Sequence, residues 1–225
     1  MRFISSIIKT GGFKLTVALS GGCDSLAVAH FIKTRYPNTE LKCFHFNHML
    51  RQQNFDMQRA CMDFCKDYTI PLKISLRDVS EQKGMSESDL RGYRYGSMKD
   101  LGFVVTGHHL DDAVENYLNN CFCGVPEYLP IPLITQFSSN LSVIRPFILT
   151  TKQEMRDYIS QNNLQQYVVE DETNEQDVYK RNWLRNNIVP QINSHGYNLH
   201  TIVKKRYREW LEKEEQLSKV EDDNK

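Results

Sequence analysis

The 225-residue chain has no excess of charge of either sign, with 28 basic side chains against 28 acidic ones. A uniformly basic coat for nucleic acid is thereby excluded, although a local patch is not. No apolar run approaches the ~20 residues needed to span a bilayer. The opening segment, residues 1–14, has one Arg and too little apolar length for a secretory h-region, so a cytoplasmic protein is expected. The six cysteines, at 23, 43, 61, 65, 121 and 123, contain no C-x2-C pair, and no nearby His completes a zinc set. A disulfide framework is not expected in such a chain, and buried thiols are the expectation over metal or redox work. There is no Walker A loop, no G-x-G-x-x-G, no internal repeat and no low-complexity tract.

What is present is an alternation. Leu15–Leu19 is a short β-branched run, Ser25–Tyr36 has helical apolar spacing, and Leu41–Phe46 reads as a second strand. Gln52–Tyr68 is helix-like, Pro71–Leu76 a third strand, and Glu87–Asp100 a further helix. Gly102–Thr106 is a buried strand followed by a helix over His108–Phe122. Strand–helix alternation of this kind predicts an α/β fold, a parallel sheet with helices on both faces. After Gly124 the pattern changes. Pro126, Pro130 and Pro132 break up a loop, Leu141–Ile144 leads into Arg145-Pro146, and Thr151–Gln161 is a polar helix. An acidic, turn-rich segment occupies Glu170–Asp177. A helix over Tyr179–Val189 is expected to stop at Pro190, and Leu199–Val220 reads as one long charged helix. Lys180 to Lys213 holds eight Lys or Arg and two acids. The expected division is a nucleotide-binding domain over residues 1–195 and a charged helical tail over 196–225.

Ser20-Gly21-Gly22-Cys23-Asp24-Ser25 follows a strand and opens a helix. Glycines let a backbone approach phosphate, and N–H groups at a helix start point at the anion. The Ser20 and Ser25 hydroxyls can add hydrogen bonds. Phosphate would repel Asp24 directly, so Mg²⁺ is its expected ligand. The bland alternative is a glycine-rich turn with a serine cap.

This hexapeptide resembles the PP-loop of the N-type ATP pyrophosphatases, which cleave ATP between the α and β phosphates. Further segments are similar to those of one branch, the tRNA(Ile)-lysidine synthases. They are His45-Phe46-Asn47-His48-Met49-Leu50-Arg51, Leu90-Arg91-Gly92-Tyr93-Arg94-Tyr95 and Thr106-Gly107-His108-His109-Leu110-Asp111-Asp112-Ala113-Val114-Glu115. Arg145-Pro146, Asp171-Glu172-Thr173-Asn174 and Tyr179-Lys180-Arg181-Asn182-Trp183-Leu184-Arg185 with Pro190 complete a co-linear match over about residues 15–190. Two features depart from the pattern: Asn116 follows Glu115 where the branch has Thr, and Cys123-Gly124 stands where it has R-G. Longer members of the branch carry C-terminal tRNA-binding domains, whereas residues 196–225 read as one helix.

The resemblance implies a parallel-sheet nucleotide-binding sandwich and a carbon–nitrogen ligase. ATP adenylates O2 of the wobble cytidine in an isoleucine tRNA with a CAU anticodon, releasing pyrophosphate. The ε-amine of free lysine then attacks C2 and AMP leaves. The loop residues Ser20, Gly21, Gly22, Cys23, Asp24 and Ser25, with His108, would hold ATP. Asp24 would hold Mg²⁺. Arg91, Arg94, Arg181 and Arg185 are candidate cations for phosphate or tRNA, suited by bidentate geometry. Free lysine arrives as an ammonium, since its pKa is about 10.4. Asp112 and Glu115 are three apart, Asp111 and Glu115 four, so each pair shares a helix face and could hold that ammonium and relay its proton. Without the surrounding motif, the favoured reading of the three acids is as helix N-terminal residues placed by the macrodipole; the motif turns the balance to function. One of His108 and His109 is expected at phosphate or base and the other packed or capping. His48 and Arg51 divide evenly between a site role and a solvated loop. Lys204, Lys205, Arg206 and Arg208 face phosphate if tRNA binds.

The nearest rival is a tRNA thiolase making 2-thiocytidine or 2-thiouridine, which calls for C-x2-C pairs or a reactive cysteine. A non-catalytic tRNA- or nucleotide-binding remnant is the rival from another class, and an intact Asp24, Asp112 and Glu115 argue against it. The sequence leaves monomer and homodimer open.

Overall fold

The computed structural model describes residues 14–78, 86–125, 131–170 and 180–223. Two compact units emerge, and each draws on separated stretches of chain. The first comprises 1–108, 133–147 and 152–171, the second 109–132, 148–151 and 172–225.

The first unit is built on a six-stranded sheet. Its strands are β1 (Lys14–Ala18), β2 (Glu40–Asn47), β3 (Leu72–Leu76), β4 (Gly102–Val105), β5 (Ile134–Ser138) and β6 (Leu141–Ile144), in the order β3-β2-β1-β4-β6-β5. All neighbours are parallel except β5, which runs antiparallel to β6 at the edge. Helices α1 (Cys23–Arg35), α2 (Gln52–Asp67), α3 (Glu87–Ser97) and α5 (Lys152–Gln161) belong to the same unit. The α/β class and the parallel sheet expected from the alternation are observed. The strand alternation decides which helix meets which face. Val17, Cys43 and Val105 join α1, α2 and α5 in one apolar cluster. Their sequence neighbours Phe44 and Val104 join Met98 and Tyr95 on the opposite side.

Strand β5 carries no signal in the sequence: Ile134 and Phe137 both lie exposed at the edge, so no inward–outward alternation announces it. One expectation needs correction. The helix expected to end at Pro190 does not end there. α6 (Lys180–Trp183) passes into one π-helical stretch, Leu184–Ile188, and then into α7 (Val189–Ser194), with Pro190 in its first turn.

In the second unit, α4 (Leu110–Phe122) turns Leu110, Ala113, Val114 and Leu118 inward. α8 (Leu199–Asp223) buries Leu199, Val203 and Tyr207. The Tyr207 hydroxyl donates to the Ile131 carbonyl at 2.6 Å and accepts from the Ile131 N–H at 2.9 Å. Among the described residues no helix is long and apolar enough to cross a membrane.

Candidate functional site

Strand β1 is the point at which the sheet order reverses, with β2 on one side and β4 on the other. In open α/β sheets ligands bind outside the strand ends at such a point. The chain leaves β1 directly into Ser20–Ser25. The Ser25 hydroxyl accepts from the Ser20 N–H at 2.9 Å and lies 3.2 Å from the Gly22 carbonyl, to which it can donate. The Ser20 hydroxyl lies 2.9 Å from that of Ser25 and accepts from the Gly22 N–H at 3.3 Å. The loop is thus closed on itself, with α1 starting at Cys23.

Close packing holds it from outside. Gly21 has φ of +90°, and a Cβ there would stand 2.8 Å from Met57 Cβ and 3.0 Å from the Met57 backbone. A Cβ on Gly107, just after β4, would stand 2.8 Å from the backbone nitrogen of Ser25. Both glycines are therefore required by shape, and Gly107 was not among the residues assigned to the site from sequence. The Gly21 carbonyl accepts from the Val169 N–H at 2.9 Å. The buried His45 imidazole donates from Nδ1 to the Leu19 carbonyl at 2.8 Å, fixing the residue that precedes the loop.

Asp24 sits half-buried in the first turn of α1. A carboxylate at that place suits Mg²⁺, which takes hard oxygen ligands and shares them with phosphates. Burial, followed by the Asp24 charge, pushes the Cys23 thiol up to about 11. It stays protonated at neutral pH, unlike a nucleophilic cysteine. Cys43, Cys61 and Cys65 lie in the apolar cluster below the sheet.

The loop after β2 carries the His45–Arg51 segment. Asn47 Oδ1 accepts from the Met49 N–H at 2.8 Å, a local bond that accompanies the left-handed Met49 (φ 56°). Asn54 Oδ1 accepts from the Arg51 N–H at 3.1 Å and caps α2. Arg77, itself buried, donates from Nε to the His48 carbonyl at 2.7 Å. Burial, then Arg94 and Arg77, lowers the His48 imidazole to about 4. Arg94 and Arg91 stand over the Tyr95 ring at 5.5 and 5.0 Å, and Phe137 stacks on that ring at 4.4 Å.

The His48 shift has a consequence for stability. An ordinary imidazole takes its proton near 6.5, so on acidification the unfolded chain binds it first. The contribution of neutral His48 is complete above pH ~6.5 and is lost as pH falls toward about 4. Urea unfolding at pH 7.5 and 4.5 is expected to show a loss on the order of 1 kcal/mol from this half-buried group, solvent screening reducing the full effect of the shift. His48→Gln is expected to remove that part of the slope, and equal slopes in both proteins would refute the half-buried neutral imidazole.

The second unit holds a chain of alternating acids and bases. Glu115, 3% exposed, accepts from Arg185 Nε at 2.6 Å and also from Arg181 Nε. The other arm of Arg181 donates to Asp112 Oδ1. Asp112 Oδ2 accepts from the His109 N–H at 2.9 Å, closing the first turn of α4. His109, 1% exposed, has its ring 3.7 Å from Asp112 and 3.5 Å from Asp111 Oδ2. The Asp111 Oδ1 lies 3.1 Å from His200 Nε2 on α8. The run is therefore His200–Asp111–His109–Asp112–Arg181–Glu115–Arg185.

The structure thus brings Asp111, Asp112, Glu115, Arg181 and Arg185 together. It gives Asp112 and Glu115 guanidinium partners where the sequence offered an ammonium. His108 lies at the end of β4, its Nδ1 2.7 Å from Thr106 Oγ1. Arg91 and Arg94 belong to the first unit. Of the basic residues on α8, Lys205 is 3.7 Å from Glu209 and Arg206 stands 5.3 Å over the Tyr117 ring. The Asp171–Asn174 segment, Tyr179 and all of the acidic turn after Glu170 lie outside the described residues. His200 carried no signal within its own helix. Among the described residues no group of three or more His, Cys, Asp or Glu is placed to hold a metal ion.

Comparison with known proteins adds three findings. A family model described as a PP-loop domain matches residues 2–192. The tRNA(Ile)-lysidine synthase of Histophilus somni is 27% identical over 218 residues, covering 93% of this chain and 50% of its own length. That of Staphylococcus epidermidis is 28% identical over 214 residues, covering 88% and 49%. The chain spans about half the length of these curated relatives. Among solved structures, a U34-tRNA thiolase from Methanococcus maripaludis superposes with a TM-score of 0.71 at 19% identity, over 89% of this chain and 73% of the other. That likeness concerns the fold.

Proposed function

We propose, from the premise that this chain belongs to the PP-loop domain family, that it adenylates the wobble cytidine of an isoleucine tRNA with a CAU anticodon and joins free lysine to it. The observation that carries this reading is one co-linear set of residues. A phosphate loop at the sheet's switch point and an acid-rich helix start occur together in a chain whose curated relatives are tRNA(Ile)-lysidine synthases.

The loop receives the ATP phosphates on the N–H groups at the start of α1, with the Ser20 and Ser25 hydroxyls beside them. Mg²⁺ held at Asp24 offsets phosphate charge when bound. Pyrophosphate leaves after O2 of the cytidine attacks the α-phosphate. Arg91, Arg94, Arg181 and Arg185 are the cations available to phosphate or tRNA, and Lys204, Lys205, Arg206 and Arg208 line one helix for RNA phosphates. Asp112 and Glu115 fix the two guanidiniums of the second unit, while Asp111 and its neighbours receive the lysine ammonium. The amine attacks C2 and AMP departs.

Asp24→Ala tests the nucleotide half of this scheme. Pyrophosphate release from ATP in the presence of tRNA transcript is expected to fall by at least ~100-fold, with the melting temperature nearly unchanged because no core group is lost. Retained release in a folded variant would remove Asp24 from the metal site.

A further inference from the structure

The proposed reaction has a proton problem that the carboxylates solve poorly. Lysine is an ammonium at neutral pH and has no lone pair to attack with. An ordinary carboxylate, near 4, is a base mismatched to an ammonium by about six units, whereas an ordinary imidazole is mismatched by about four. That difference corresponds to about a hundredfold in the transfer equilibrium. Asp112 and Glu115 are further compromised, because each is already bonded to a guanidinium.

At the other end of the ionic run stands His200, with Asp111 against it. Their side chains are 27% and 28% exposed, against 10% for Asp112 and 3% for Glu115. Of the three acids in the run, Asp111 is the most exposed, so it is the carboxylate that an amine arriving from solvent reaches most readily. A carboxylate only accepts hydrogen bonds, so the proton between the pair sits on His200 Nε2. In the neutral form of such a ring the lone pair is on Nδ1. His200 also lies outside the span matched by the PP-loop model, residues 2–192, and in a helix otherwise dominated by Lys, Arg and Glu.

We propose that His200 is the general base of the lysine step, held in the required tautomer by Asp111. The inference rests on the reading given under the proposed function. In the step, Nδ1 takes one proton from the ε-ammonium. The nitrogen lone pair forms the bond to C2, the C2–O2 bond breaks, and AMP leaves with that electron pair and with O2 as a phosphate oxygen. The remaining surplus proton on nitrogen passes to solvent. Asp111 offsets the positive charge that the imidazole gains, as the carboxylate of an acid–His dyad does. The imidazole meets Asp111 and, behind it, His109 from the start of α4, and Lys204 follows one turn along α8 on the same face. Arg181 and Arg185 are held through Asp112 and Glu115, and Arg206 and Tyr117 form a pair further along α8 and α4.

The test compares two nucleophiles on preformed tRNA adenylate. Lysine needs a base, whereas hydroxylamine is already neutral at pH 7. His200→Gln can keep an N–H bond to Asp111 but cannot accept the proton. Lysine transfer is expected to fall by about a hundredfold or more, and hydroxylamine transfer by less than about threefold. In His200→Ala, added imidazole is expected to restore lysine transfer in part. Equal losses for both nucleophiles, or lysine transfer near the wild-type rate in His200→Gln, would overturn the assignment. A wild-type chain that forms tRNA adenylate and no lysine product overturns this proposal along with the lysine half of the function, and one that forms no adenylate overturns both halves.

Discussion

An alanine at position 107 is expected to weaken ATP binding tenfold to about a hundredfold. The added Cβ would stand 2.8 Å from the Ser25 nitrogen, 3.0 Å from the Asp24 carbonyl carbon and 3.1 Å from Ser25 Cα. These are backbone atoms in the first turn of α1, not the ends of flexible side chains. That helix buries Leu26, Ala27, Val28, Ala29 and Ile32 in the core cluster, so it cannot retreat without disturbing packing. Forcing a methyl into such a contact costs typically about 1–3 kcal/mol. The displaced atoms include the N–H groups offered to phosphate, so the cost falls on the site. Gly96→Ala is the control: it lies in α3, and a Cβ there meets nothing within 4 Å. Titration calorimetry with ATP and a thermal melt of both variants measure the difference. Unchanged ATP affinity in Gly107→Ala would mean that the loop does not use the start of α1.

Glu115→Gln is expected to have the second large effect, on both stability and lysine transfer. The carboxylate is buried and accepts from Arg181 Nε and Arg185 Nε at once. An amide offers one oxygen and turns an NH₂ toward a guanidinium that has only donors. Losing one charge-assisted bond in this way costs about 1.5–3 kcal/mol. Urea unfolding is expected to register that loss. The lysine-dependent step is expected to slow ten- to a hundredfold, with a smaller change in ATP affinity. A double-mutant cycle with Arg185→Ala separates the pair from its surroundings, and the coupling is expected to exceed about 1 kcal/mol. Additive effects would show that the two side chains do not act together.

The strands that carry the site are legible because their physics is local. Leu15–Leu19 is apolar and β-branched and stops at two glycines, and the structure places β1 at Lys14–Ala18. Gly102–Thr106 overlaps β4, Gly102–Val105, to within one residue. Spacing also places Asp112 and Glu115 on one helix face, but spacing cannot say what stands opposite. Arg181 and Arg185 come from more than 60 residues away in sequence, and only the fold brings them to the acids. His200 is less legible still: a single imidazole in a charged helix acquires meaning from Asp111, 89 residues earlier. Gly107 lies in a motif that the sequence shows plainly, yet the need for a glycine appears only where α1 packs against it. The π-helical stretch at Leu184–Ile188 has no local signal, since Leu184 is buried while Arg185 reaches Glu115, both of them tertiary facts.

The most direct measurement incubates the chain with ATP, isotopically labelled lysine and an unmodified isoleucine tRNA transcript bearing a CAU anticodon. The RNA is then digested and its nucleosides are separated. The account predicts label in a single modified cytidine from the wobble position, formed with one AMP and one pyrophosphate per lysine and absent from a transcript with G at that position. ATP cleaved to AMP and pyrophosphate with sulfur rather than lysine entering the base, or no label in RNA under conditions where the chain binds both ATP and the transcript, would contradict it.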